Sequence, residues 1–143
     1  MRFMMLMIPK GYETAKPGTL PDQKAIERMM EYNYALGQAG VLLALDGLQP
    51  PSTGARVSFP GGKPKVVDGP FTETKETVGG YWIIDVKSRE EAIEWAKRIP
   101  GSENEVVEVR KVFEPSDFPS EVRKGTAAFE EEMQRKTGVR GIE

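Results

Sequence analysis

The run Asp68-Gly69-Pro70-Phe71-Thr72-Glu73-Thr74-Lys75-Glu76 gathers acid–base and anchoring side chains into one turn. Asp68 closes a short strand, and its carboxylate can accept hydrogen bonds from the backbone N–H groups just ahead. Gly69 removes the Cβ where the chain bends, and Pro70 fixes the next φ while lacking a donor. Two readings fit these residues. In one, the run is a rigid corner closed by a local hydrogen bond, with Glu73, Lys75 and Glu76 as solvated charges. In the other, it walls a ligand pocket at a sheet edge: Asp68 is the carboxylate base or polar anchor, Phe71 an apolar wall, and Lys75 part of the ligand-binding set.

Further candidates flank this corner. Asp46 follows an apolar strand and Arg56 opens the next, with Lys63 and Lys65 nearby. They read either as a structural ion pair or as an anion-holding Arg56 beside a desolvated carboxylate base, with Asp46 in the ligand-binding set. Tyr81 and Trp82 are adjacent on one strand and so face opposite sides. The one facing inward packs under helices. Tyr81, beside the corner, offers a phenol to a ligand or serves as an interface residue with its hydroxyl satisfied.

What the sequence omits narrows the chemistry. Histidine and cysteine are both absent. That removes imidazole acid–base catalysis, Ser–His and Cys–His nucleophiles, iron–sulfur clusters, and the usual zinc, copper and haem ligands. Proton transfer falls to carboxylate, lysine or tyrosine, and a carboxylate base needs burial to bring its pKa toward neutrality. Gly61-Gly62-Lys63 lacks the spacing of a phosphate loop, the glutamate runs lack the spacing of a calcium loop, and no dinucleotide fingerprint is present. No metal and no cofactor are expected. Met4, Met5, Met7, Met29 and Met30 read as a plastic core rather than a soft-metal site.

The 143 residues carry 20 Lys+Arg against 22 Asp+Glu, a formal net charge of −2, with 38% hydrophobic and 29% charged residues. This is the balance of one globular domain with a short appendage. It offers no long-range attraction for nucleic acid or an anionic membrane, so neither is an expected partner. The apolar opening, Met1 to Ile8, is cut short by Pro9-Lys10-Gly11 before a leader or a membrane span could form, and a cytoplasmic location is the default expectation.

The elements that must position these side chains follow from periodicity. Phe3 to Ile8 reads as a buried strand. Asp22 to Ala39 reads as a helix with Ala25, Met29, Tyr32 and Leu36 on one stripe, Pro21 in its first turn and Gly40 as its stop. Val41 to Leu45 is a strand, Arg56 to Phe59 and Lys65 to Val67 form a hairpin across Pro60-Gly61-Gly62, and Gly80 to Val86 is the clearest strand. Ser88-Arg89-Glu90-Glu91 is a capping box opening a helix with Ala92, Trp95, Ala96 and Ile99 on one face. Glu105 to Phe113 is a strand. Ser120 to Lys136 is a tail helix with a thin stripe of Val122, Thr126, Phe129 and Met133, weakened at Gly125. The order predicts an α+β fold: a ferredoxin-like split βαβ antiparallel sheet with an inserted hairpin and helices on one face. Residues 1–114 form the domain and 115–143 a helical tail. The second sheet face would expose apolar side chains, so a homodimer packed face to face is expected, with the tail helix able to cross to the partner.

Asp68-Gly69-Pro70-Phe71, then Glu73-Thr74-Lys75-Glu76 and Gly79-Gly80-Tyr81, closely resembles the signature of the DGPF branch of the YCII-related family. The resemblance extends over the opening strand, Ala39-Gly40-Val41-Leu42, Gly47-Leu48-Gln49-Pro50, Glu91-Ala92-Ile93-Glu94-Trp95-Ala96 and Val107-Glu108-Val109-Arg110, together roughly residues 1–113. It implies a ferredoxin-like subunit in a dimeric α+β barrel. Some relatives carry a His–Asp pair in a cleft; those positions fall near Met29 and Gln38 here, and neither can act as a base, so that chemistry does not carry over. Many DGPF relatives are encoded beside extracytoplasmic-function sigma factors. The resemblance leaves the two readings of the residues standing: a small-molecule site in a barrel cavity, with carboxylate-based acid–base chemistry if it is catalytic, or a non-catalytic regulatory or protein-interaction module of the sigma-factor-associated kind. It leaves open whether the chain is an enzyme.

Overall fold

Alternation along the first strand decides which way the sheet faces. In a computed structural model that describes residues 1–71 and 76–138, strand β1 (Arg2–Ile8) buries Phe3, Met5 and Met7 while the residues between them stay half-buried. Strand β5 (Gly80–Asp85) repeats the pattern with Trp82 and Ile84 inward. Between them in sequence come helix α1 (Gln23–Gln38), strand β2 (Leu42–Gly47) and the short strands β3 (Ala55–Ser58) and β4 (Lys65–Asp68). Helix α2 (Arg89–Lys97), strand β6 (Val106–Lys111) and helix α3 (Ser120–Thr137) follow. The main sheet runs β2-β5-β1-β6, antiparallel at every ladder, which is the predicted ferredoxin-like arrangement.

The core lies between one sheet face and the two helices. Met5, Leu36 and Ile84 are fully enclosed, and Phe3, Tyr32, Trp82, Val86, Ala92 and Ile99 complete the layer. Each of the Val, Leu, Ile, Phe and Met side chains among them stabilises the fold by about 1.5–3 kcal/mol through apolar burial. Tyr32 joins the layers. Its ring stands edge-on to Trp82 at 5.8 Å and to Trp95 at 6.5 Å, and its hydroxyl donates to the Trp95 carbonyl at 2.8 Å. Burial pushes that hydroxyl's pKa well above the ordinary tyrosine value.

Helix ends follow local chemistry, with two departures from expectation. Asp22 is the N-cap, its carboxylate accepting the Ala25 N–H at 3.1 Å, so α1 starts one residue later than predicted and Pro21 lies before the helix. Ser88 caps α2 through the Glu91 N–H at 3.1 Å, but the returning Glu91 carboxylate takes the N–H of Lys87, at 2.9 Å, instead of that of Ser88.

The hairpin is a two-stranded sheet of its own, β3 with β4, exposed along its whole length. Beyond β6, Arg2 holds Glu114 (3.3 Å) and Lys111 holds Asp117 (3.2 Å), fixing where the chain leaves the sheet. Helix α3 then carries its stripe largely in solvent: Val122 is 48% and Phe129 67% exposed. No helix among the described residues is long and apolar enough to cross a membrane.

Candidate functional site

An irregularity in β2 creates the most defined polar pair. Leu42 pairs with Ile84, but Ala44 pairs with Ile83, so Leu43 is the extra residue of a β-bulge. After the bulge Leu45 faces Trp82 and Asp46 faces Tyr81. Were β2 regular beyond Leu42, Leu45 would stand opposite Tyr81 instead. The Tyr81 hydroxyl donates to Asp46 Oδ2 at 2.7 Å. That bond, then burial, then the carboxylate's charge raise the Tyr81 pKa above its ordinary value. Gly80 lets the two strands approach: a Cβ there would lie 3.0 Å from the Asp46 carbonyl oxygen.

A cavity of about 430 Å³ lies between α1 and the β2–β5 end of the sheet; Asp46 and Tyr81 are among its lining residues, but their register sets both side chains on the opposite sheet face from Leu45 and Trp82. The cavity walls are chiefly apolar, with Met7, Ala25, Ile26, Met29, Leu45 and Trp82 among them. Arg28, Asn33, Ser102 and Glu105 add the remaining polar groups. The size and composition are those of a small-molecule site. Met29 is part of the apolar wall. Asn33 was not among the residues singled out from sequence. Its Oδ1 accepts the Trp82 indole N–H at 2.8 Å. The available signal was Trp82 itself, since a buried indole is a donor that needs an acceptor.

The corner residues gather elsewhere. Arg56 lies over the Phe71 ring, 4.1 Å from its centroid, and both line a shallow groove with Leu48, Pro51 and Thr77. Asp68 is exposed at the end of β4 and lines neither the cavity nor the groove. The burial that a carboxylate base requires is not found there. Lys75 lies outside the described residues. Gly69 follows Asp68 where the backbones nearly touch: a Cβ at this position would sit 1.8 Å from the Pro51 carbonyl oxygen. The Gly69 N–H donates to the Gly54 carbonyl at 2.9 Å, and the Gly69–Pro70 peptide bond is cis. The five described candidates therefore separate into Asp46 with Tyr81, Arg56 with Phe71, and Asp68 alone. Among the described residues no group of three or more Asp and Glu side chains converges as metal ligands would.

The YCII-related domain matches residues 1–116, so the chain belongs to the YCII-related family. An uncharacterised protein of Rhizobium meliloti is 28% identical over 103 residues, spanning 69% of this chain and 83% of the relative.

Proposed function

We propose that this YCII-related chain binds a small, largely apolar molecule in the cavity walled by α1, β2 and β5, with the polar groups of α1 among its lining residues orienting it. The observation that carries the reading is the mostly apolar cavity of about 430 Å³ itself, enclosed by α1 and the inward face of β2 and β5 with a few polar groups among its lining residues. Such a site binds by apolar contact and orients by a few fixed polar atoms. Asp46 serves as the acceptor for Tyr81 and not as a base: like Asp68 it is exposed, without the burial a carboxylate base requires. The chain works as a homodimer in this reading. The sheet face away from the helices carries Met4, Leu6, Ile8 and Ile83, a surface suited to cover by a second copy.

A thermal-shift screen of metabolites against wild type and Ala25→Leu, which narrows the cavity from α1, tests the site. A compound that raises the melting temperature of wild type and clearly less that of the variant supports it. Equal stabilisation of both, or none of either, sinks it. A second reading, a DGPF-type regulatory or interaction module of the sigma-factor-associated kind, draws on the exposed stripe of α3. Retention of every ligand response after removal of residues 120–143 would separate that role from the cavity.

A further inference from the structure

Asn33 is half-buried on α1 and lines the cavity. An amide side chain has one acceptor end and one donor end. Here the ends are assigned by chemistry. The Trp82 indole N–H can only donate, so the Asn33 atom 2.8 Å from it must be the carbonyl oxygen. The other end, Nδ2, carries two N–H donors and has no hydrogen-bond partner among the described residues. Trp82 is itself packed edge-on against Tyr32, so the group that orients Asn33 is held in place from behind.

We propose that Asn33 is a specificity-determining residue of the cavity, whose Nδ2 donates to an uncharged oxygen acceptor, so that the site takes small apolar carbonyl compounds. This rests on the cavity being a ligand site, as proposed above. Charge on the walls argues for an uncharged acceptor. Asp46 and Glu105 are both anionic and Arg28 is the one cation among the lining residues, so a carboxylate ligand would meet more repulsion than attraction. Apolar bodies suit the Met29, Ile26 and Leu45 walls.

The probes are acetophenone and ethylbenzene, which share an apolar ring and differ in the carbonyl. Binding is followed by the side-chain amide and indole N–H signals of ¹⁵N-labelled full-length protein. The expected result is that both probes shift the Trp82 signal. Acetophenone alone moves the Asn33 amide and binds several-fold to about tenfold tighter, as one net hydrogen bond allows. Asn33→Asp keeps an acceptor for the indole but loses the donor, so the preference for acetophenone should vanish while the Trp82 indole signal stays near its place. Equal affinity of the two probes for wild type overturns the role of Asn33 and leaves the cavity reading standing. A preference that survives Asn33→Asp does the same. No binding of either probe removes the cavity reading and this inference with it. The wild-type comparison stands even where the variant does not fold.

Discussion

Asp46 and Tyr81 are register partners across the β2–β5 ladder, and their side chains meet on the same sheet face at 2.7 Å. The bond is therefore a property of strand pairing: one step of slippage would put every side chain of β2 on the other face. Because the hydroxyl is the donor, Tyr81 ionises only above the ordinary tyrosine value of 10.0. A group whose pKa is raised by folding stabilises fully below its unfolded pKa and loses that contribution as pH rises through the folded one. An ultraviolet titration of tyrosinate should show a late-ionising tyrosine that moves toward 10.0 in Asp46→Asn. No change in that variant would mean the pair does not persist in solution.

The Trp82–Asn33 bond joins the sheet to α1. Truncation in Asn33→Ala leaves a buried indole donor without an acceptor, at a cost of about 1–3 kcal/mol. A double-mutant cycle with Trp82→Phe, measured by urea unfolding, should give a coupling energy clearly different from zero. Strict additivity would show that the bond contributes nothing.

Gly69 and Gly54 both approach Pro51, at very different distances. A Cβ on Gly69 would meet the Pro51 carbonyl oxygen at 1.8 Å, but one on Gly54 only at 3.5 Å, in ordinary contact. Gly69→Ala should therefore destabilise the corner by about 1–3 kcal/mol, as overpacking does, and Gly54→Ala far less. Hydrogen exchange at the Gly69 N–H, which donates to Gly54, reads the effect locally. Equal protection in the two variants would contradict it.

The proposed dimer places Leu6 and Ile83 at its centre. Replacing Leu6 with Glu puts a charge there that a monomer leaves in water and a dimer must bury. Sedimentation should find wild type at twice the 15.9 kDa chain mass and the variant at the single mass. A wild-type protein that sediments as one chain when dilute would remove the dimer.

The sheet was legible because its signals are local. The apolar runs of β1 and β5 marked both as strands, and the stripe of α1 put Tyr32 and Leu36 on its buried side; that Phe3, Met5 and Trp82 are the inward residues is settled by the structure. Asp46 and Tyr81 were both marked as candidates, but their meeting was not, because it depends on a bulge at Leu43 that no local pattern announces. Asp68 drew the most weight as the most conspicuous carboxylate. Whether a carboxylate lies in a cavity depends on where its hairpin sits, and β3–β4 stands outside the main sheet with Asp68 exposed. Asn33 was invisible for a related reason: its significance comes from Trp82, forty-nine positions away.

The bulge has a second consequence, at the rim of the sheet. β2 is an outer strand, and an outer strand offers a row of free backbone groups to any foreign strand. The extra residue at Leu43 breaks the spacing of that row. β6, the opposite rim, carries Glu108, Arg110 and Lys111, whose charges discourage docking there. Both borders are thus blunted against strand addition and fibril growth, and two copies of the sheet that meet must do so broadside.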